Sequence, residues 1–318
     1  MQKLKIFCLC FFFISVFNCK NDYLKYTDEP EYITNIQSEH KAYFDAYDAT
    51  MKLWDIPFEE LYIPTNYGIA HVIVTGSNNK DSVVLLHGMN ASSTMWYPNI
   101  KALSNDYRVF AIDFILEPGK SFITKDFENT NQIAEWYHEI FKKLNLEKFH
   151  LIGASRGGWL AVNIALQQQE NIKSMILLSP AQTFIWIRPS TNLLKNIIYT
   201  FSSKEKQIQE TLESMSSNVD NINKTYIEQY AIATEKDSIN KFVVDMMPFS
   251  KQDFKSLKMP VLVLIGDDDM INNEKSIFLT KKLINKGQGE VINNAGHFLS
   301  IDQAETVNEN ILNFLKDK

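Results

Sequence analysis

The sequence has very little cysteine, and all of it lies at one end of the chain. Of the 318 residues only three are cysteines, Cys8, Cys10 and Cys19. A disulfide framework, or a metal site with cysteine ligands, is therefore excluded for the rest of the chain. A chain of this length can bury a large core without such cross-links.

The chain also lacks an excess of basic residues. It contains 32 Lys and Arg against 38 Asp and Glu, which gives a formal net charge of −6. Binding to nucleic acid needs a basic face that attracts phosphates, so this balance argues against nucleic acid as the main partner. Hydrophobic residues make up 45% of the chain and charged residues 22%, values typical of a folded globular protein.

The amino terminus carries an apolar run, Ile6–Phe17, that follows Lys3 and Lys5. As a helix this run would span roughly 18 Å, which is short of the ~30 Å hydrocarbon core of a membrane and favours a secretory signal segment. No small-residue cleavage site follows, and the run ends at Cys19, which resembles the lipid-attachment cysteine of bacterial lipoproteins. We therefore predict an exported protein anchored to a membrane through Cys19. Secretion without a lipid, or an uncleaved anchor, is the alternative.

Short apolar runs flanked by turn residues predict strands that are buried on both faces. The main runs are Val83–Leu86, Arg108–Ile112, Phe149–Ile152, Met175–Leu178 and Val261–Ile265. Amphipathic helical patterns separate most of them. Strands that alternate with helices form βαβ units, so the sequence predicts an α/β fold around a mostly parallel sheet.

One interval, between Pro180 and Pro260, breaks this alternation. It has no run typical of a buried strand, but it shows helical periodicity around Leu193–Phe201, Ile208–Met215 and Tyr226–Thr234. An interval of this length is more typical of an inserted helical cap than of a structureless loop. The predicted parts of the chain are a signal segment (1–18), a polar tether (19–39), a core (40–184 and 256–318) and a helical cap (185–255).

The strongest local motif is Gly153-Ala154-Ser155-Arg156-Gly157, which follows a predicted strand and precedes a helical pattern. A Gly-x-Ser-x-Gly pattern in this context places the serine on a sharp strand-to-helix turn, where side chains in place of the glycines would collide with neighbouring backbone. Ser155 is therefore the candidate nucleophile.

A serine hydroxyl becomes an effective nucleophile when a base removes its proton and an acid orients that base. If the chain order is Ser…Asp…His, only one of the six histidines follows Ser155, and that is His297. Three adjacent carboxylates, Asp267, Asp268 and Asp269, follow the strand that ends near residue 265. We favour Asp269 as the acid, because the turn off the strand would direct it inward, and Asp268 and Asp267 are the alternatives.

With these motifs the chain, from about Tyr43 to its end, resembles the α/β-hydrolase superfamily and in particular microbial serine carboxylesterases. His87-Gly88, the segment Ser92–Asn99 and Asp113 carry the resemblance further. The loop after Asp113 departs from it, because it is longer and more apolar than the glycine-rich turn of many relatives. The resemblance implies a mainly parallel sheet of eight strands with an inserted helical cap, and neither a metal nor a cofactor.

The resemblance also implies where the oxyanion of the reaction is stabilised. In this fold the donors are the backbone N–H groups of the loop after a central strand and of the residue after the nucleophile, which correspond to Met89 and Arg156. His87 is expected to hold that loop by hydrogen bonding.

The implied function is hydrolysis of a small-molecule carboxylic ester through an acyl-enzyme, with Ser155 as nucleophile. The serine argues against the epoxide hydrolases and haloalkane dehalogenases of this fold, which use an aspartate at that position. Thioesterases, acyltransferases, carbon–carbon bond hydrolases and peptidases can use the same three residues and are the alternatives among enzymes. A non-catalytic binding module on the same fold is the alternative outside enzymes.

Overall fold

The computed structural model describes residues 23–187, 204–236, 242, 245–316 and 318. Within them one sheet has nine strands in the order β1-β2-β4-β3-β6-β7-β8-β9, and the short β5 pairs with β2 beside this path. The strands are β1 (Phe58–Thr65), β2 (Gly68–Thr75), β3 (Ser82–Leu86), β4 (Arg108–Ile112), β5 (Phe122–Ile123), β6 (Phe149–Ala154), β7 (Ile172–Leu178), β8 (Val261–Gly266) and β9 (Gly287–Ile292).

Most of this sheet is parallel. Each neighbouring pair from β4 to β9 along the strand order is parallel, whereas β2 pairs antiparallel with β1, β4 and β5. The predicted α/β fold with a mainly parallel sheet is thereby confirmed. The ordered path has the eight expected strands, and β5 is an additional short one.

Helices cover both faces of the sheet. The helices among the described residues are α1 (Glu31–Thr34), α2 (Ser38–Met51), α3 (Ile100–Asp106), α4 (Thr130–Lys143), α5 (Arg156–Gln167), α6 (Lys204–Met215), α7 (Lys224–Lys236), α8 (Lys251–Ser256), α9 (Glu274–Leu283), α10 (Leu299–Asp302) and α11 (Ala304–Lys316). Val84 and Leu86 pack with α4, α5, α8 and α9, while Val83 and Leu85 pack towards α2, α3, α6, α7 and α11. Because successive strand residues point to opposite faces, a strand covered on both sides must be apolar throughout, as the sequence of β3 is.

The predicted cap interval contains α6 and α7. Helix α7 is joined to α2, where the Thr50 hydroxyl lies 3.3 Å from the carbonyl oxygen of Thr225. The division into core and cap stays a prediction, and the helical pattern at 193–201 lies outside the described residues.

Residues 23–39, part of the predicted polar tether, lie against the core in the structure. The hydroxyl of Tyr23 donates to the carbonyl oxygen of Leu144 at 3.0 Å. The hydroxyl of Tyr32 donates to the carbonyl oxygen of Lys120 at 2.9 Å. The ring of Tyr32 stacks on that of Phe122, with 4.7 Å between the ring centroids. Both tyrosines supply apolar area and a hydrogen-bond donor, and Ile33 and Ile36 of the same segment also pack against the core. The boundary between tether and core stays a prediction.

The signal segment and Cys19 lie outside the described residues. Among the residues that are described, none of the helices is both long enough and apolar enough to span a membrane.

A buried cluster of charged groups connects β1 and β2 to the loop after β4. The Asp113 carboxylate is 2.8 Å from His71 Nδ1, and His71 Nε2 is 3.2 Å from a carboxylate oxygen of Glu60. Lys120 Nζ donates to that same oxygen at 3.0 Å. The second Asp113 oxygen accepts the backbone N–H of Ser93 at 2.8 Å. Asp113, one of the residues behind the family resemblance, therefore holds two loops on the sheet.

Electrostatics in this cluster favour a protonated His71. Burial by itself would lower the pKa of His71, but hydrogen bonds and charges from Asp113 and Glu60 outweigh it and raise the pKa above its ordinary value of 6.5. Burial likewise opposes ionisation of Asp113, yet hydrogen bonding to His71 lowers the pKa of that carboxyl. The imidazolium therefore stabilises the folded state between two carboxylates.

His71→Gln should flatten the pH dependence of stability above pH 6.5. A raised folded pKa contributes stability that is complete below the unfolded value and is lost as pH rises through the folded value. We expect the melting temperature of the wild type to fall more than that of the variant between pH 6 and about pH 8.5. Thermal unfolding of both proteins across this interval measures it, and equal slopes would contradict the assignment of charge to His71.

Candidate active site

Ser155 stands alone between β6 and α5, on a sharp turn. Its backbone angles are φ 50° and ψ −115°, in a region that residues with a side chain rarely adopt. A Cβ on Gly153 would overlap the carbonyl oxygen of Gly157, and one on Gly157 would overlap that of Leu86. The two glycines therefore let strand, turn and helix approach closely enough to hold Ser155 in this conformation.

The structure brings Ser155, Asp269 and His297 together. His297 Nε2 lies 2.8 Å from Ser155 Oγ, and its Nδ1 lies 3.0 Å from Asp269 Oδ1. The three residues follow β6, β8 and β9. Carboxyl ends of parallel strands meet at one edge of a sheet, which explains how residues so distant in sequence converge. His297 and Asp269 are buried, and Ser155 is half-buried.

Asp269 differs from its two neighbours in its surroundings. It also accepts the backbone N–H of Ile271 at 2.9 Å and a side-chain N–H of Asn272 at 3.1 Å. Burial raises the pKa of Asp269, but the charge and hydrogen bond of His297 and the hydrogen bond from the Ile271 N–H outweigh it, so the net shift is downward and the carboxylate is ionised.

The other two aspartates of the run are exposed. Asp267 accepts the backbone N–H of Ala295 at 3.0 Å, and backbone hydrogen bonds lower the pKa of its carboxyl. It therefore stabilises the loop that carries His297. Of the three candidates, Asp269 is the one whose carboxylate the structure places against the imidazole.

The loop after β3 lies next to Ser155. A Cβ built on Gly88 would be 3.4 Å from the Ser155 Cβ, and both Met89 and Arg156 line the same cavity as Ser155. The residues that carry the predicted N–H donors thus line the cavity beside Ser155, and their role in binding an oxyanion stays a prediction.

His87 fixes the path of that loop, as the sequence predicts. Its Nδ1 lies 2.8 Å from the carbonyl oxygen of Gly88, and its Nε2 accepts the backbone N–H of Phe114 at 2.8 Å. Burial lowers the pKa of His87. A neutral ring with the proton on Nδ1 satisfies both contacts, since Nε2 must accept.

The cavity beside Ser155 measures about 220 Å³. Its polar end is formed by Ser155 and His297. Apolar side chains make up much of the remaining wall, including Met95, Leu178, Met215, Tyr226, Tyr230 and Ile301. Three of these come from α6 and α7, so these helices of the predicted cap form part of the cavity wall. Such a cavity suits an apolar group bonded to a reacting carbonyl.

Two further residues support the site and were missed by the sequence analysis. Asp302 accepts the backbone N–H of Gly296 at 2.8 Å and that of Ser217 at 3.0 Å, so it joins the end of α6 to the residue before His297. Gln229 of α7 donates to Ser92 Oγ at 3.0 Å and accepts from the Thr94 hydroxyl at 2.9 Å. A single polar residue in a helical pattern gives no sign of such a role, although Gln229 does fall on the buried stripe of its helix.

Across the described part of the chain, no group of three or more His, Cys, Asp or Glu side chains is arranged to hold a metal ion.

Known proteins share both the sequence pattern and the fold. Residues 81–222 match the family described as having the alpha/beta hydrolase fold. Over 285 residues the chain is 31% identical to carboxylesterase YbfK of Bacillus subtilis, and the aligned region covers 86% of this chain and 93% of that protein. The crystal structure of naproxen esterase from Bacillus subtilis has a TM-score of 0.81 at 30% identity, covering 88% of this chain and 99% of that one. The chain therefore belongs to the α/β-hydrolase superfamily and, within it, to the carboxylesterase-like proteins.

Proposed function

We propose that this protein hydrolyses small carboxylic esters through an acyl-enzyme on Ser155. The observation that carries the proposal is the imidazole of His297, whose two nitrogens lie 2.8 Å from Ser155 Oγ and 3.0 Å from Asp269 Oδ1. An apolar cavity opens beside this hydroxyl. The names of the Bacillus relatives, both carboxylesterases, favour the same substrate class.

In the proposed acylation step, Ser155 Oγ attacks the ester carbonyl while His297 Nε2 takes the hydroxyl proton. Asp269 keeps the proton of the ring on Nδ1 and stabilises the imidazolium that forms. The negative charge on the carbonyl oxygen is bound by the N–H groups of Met89 and Arg156, each of which could lower the barrier by roughly 3 kcal/mol. His297 then returns the proton to the departing alcohol.

In the proposed deacylation step, His297 takes a proton from water, which attacks the acyl-enzyme. The second tetrahedral intermediate collapses, Ser155 recovers its proton and the carboxylic acid leaves. The same residues thus act twice, and the apolar wall of the cavity holds the acyl group in place between the two steps.

Hydrolysis of 4-nitrophenyl esters of increasing chain length tests the proposal. A cavity of about 220 Å³ is smaller than most sites for drug-sized ligands. We expect turnover of the acetate and butyrate, and a kcat/KM at least about tenfold lower for the dodecanoate. Failure to hydrolyse any ester would contradict the proposal and favour a binding module, whereas faster turnover of a matched thioester would assign a thioesterase.

We also propose that the protein is exported and held at a membrane by a lipid on Cys19, after loss of residues 1–18. The support is the short apolar run that ends at this cysteine. The intact mass of the protein extracted from membranes tests it. An unmodified Cys19 would remove this proposal and leave the hydrolase proposal unaffected.

A further inference from the structure

Glu117 is a buried carboxylate that none of the proposed reaction steps uses. It lies in the loop between β4 and β5, the loop that departs from the family pattern, and its side chain is 2% exposed. A buried carboxylate is costly unless it is paired and hydrogen-bonded. The groups that Glu117 contacts therefore indicate the role of its charge.

Each carboxylate oxygen of Glu117 contacts one side of the predicted oxyanion site. Oε2 accepts the backbone N–H of Asn90 at 2.7 Å, and Oε1 forms an ion pair with Nη1 of Arg156, whose side chain is 4% exposed. Asn90 directly follows Met89, and Arg156 is itself the second predicted donor. One carboxylate thus connects the two backbone segments that must present their N–H groups to the same oxygen.

Both segments have backbone conformations that need support. Asn90 has φ 57°, and Ser155, just before Arg156, has φ 50°. Left-handed conformations at residues other than glycine persist when the surrounding structure holds them in place. The Arg156 guanidinium is held further by the ring of Phe114, whose centroid lies 5.7 Å from its Cζ.

We propose that Glu117 is a positioning residue that sets the spacing of the Met89 and Arg156 N–H donors through its contacts with Asn90 and Arg156. This inference rests on the proposed esterase function. Met89, Asn90 and Arg156 line the cavity beside Ser155, whereas Glu117 does not within the described part of the chain. Glu117 therefore acts through these residues and not on the substrate.

The first test is Glu117→Gln, which keeps an oxygen for Asn90 but removes the charge that pairs with Arg156. For 4-nitrophenyl butyrate we expect kcat to fall about 10- to 100-fold with KM within about threefold, because the donors act on the transition state. A trifluoromethyl ketone forms a tetrahedral oxyanion adduct with the serine. Its affinity should fall by a similar factor, which a loss of folded protein alone would not produce.

A double variant, E117Q/R156M, keeps the test possible if the single change prevents folding. It removes both charges of the pair, so it avoids the main cost of removing one partner. Because both residues act through one pair, we expect the double variant to lose no more activity than the more damaging of the two single variants, Glu117→Gln and Arg156→Met. Asp81→Asn is the control, since it removes the exposed ion pair with Lys173 and should leave kcat within about twofold.

The positioning role would be overturned if kcat/KM stayed within twofold of wild type in both Glu117→Gln and E117Q/R156M. It would also be overturned if only KM changed while kcat did not, or if the activity losses of the two single variants multiplied in the double variant. Ser155→Ala separates this from the proposed function. Ester turnover that survives in Ser155→Ala defeats the function itself. An inactive Ser155→Ala beside an unchanged Glu117→Gln defeats the positioning role alone.

Discussion

Replacing Ser155 by alanine is expected to lower kcat for ester hydrolysis by about 10⁴-fold or more. The hydroxyl is the atom that His297 contacts at 2.8 Å, and no acyl-enzyme can form without it. Steady-state hydrolysis of 4-nitrophenyl butyrate by purified wild type and variant measures the loss. Binding should survive, because the cavity wall is unchanged.

The control for this prediction is Ser256→Ala, which alters an exposed serine at the end of α8. It should keep wild-type kcat and KM. A Ser155→Ala protein that retains more than about one hundredth of wild-type kcat would contradict the assignment of the nucleophile, since loss of a nucleophile removes the covalent route altogether.

Replacing Asp269 by asparagine is expected to lower kcat by about 10³- to 10⁴-fold. Asparagine loses the charge that stabilises the imidazolium, and its amide can turn an N–H towards His297 Nδ1, which favours the wrong tautomer. The measurement is kcat with the same butyrate ester, with circular dichroism to confirm that the variant is folded.

Asp268→Asn is the matched control for that change. The residue is adjacent and exposed, so we expect kcat within about twofold of wild type. Asp267→Asn keeps an oxygen that can accept the N–H of Ala295, so a modest decrease is expected. If kcat fell further in either of these variants than in Asp269→Asn, the aspartate changed in that variant would be the acid of the site.

Local patterns predicted the sheet and the sharp turn that carries Ser155, because both depend on neighbouring residues. A strand covered on both faces needs a continuous apolar run, which residues 109–112 of β4 show. The turn at Ser155 needs small residues at fixed positions before and after it. His297 followed from elimination, since no other histidine lies after Ser155.

Contacts between distant segments could not be predicted in this way. Nothing in the order of residues pairs Glu117 with Arg156, or joins Asp302 to the end of α6. The same holds for Tyr32, whose ring stacks on that of Phe122. In each case the partner is determined by how distant segments pack in the folded chain, and a pattern along the sequence does not contain that information.

Three adjacent aspartates follow β8, and the sequence alone does not distinguish them. Their residue types are identical, so only the turn after β8 distinguishes them. In the structure the N–H groups of Ile271 and Asn272 fix the Asp269 carboxylate, whereas the other two side chains remain exposed.

If Ser155 is the residue acylated in turnover, a fluorophosphonate should react with its hydroxyl and label it covalently. We expect one phosphonyl group per chain, located by mass spectrometry on the peptide that contains Ser155, with ester hydrolysis lost in proportion to labelling. A label on another residue, or full hydrolysis by completely labelled protein, would contradict it.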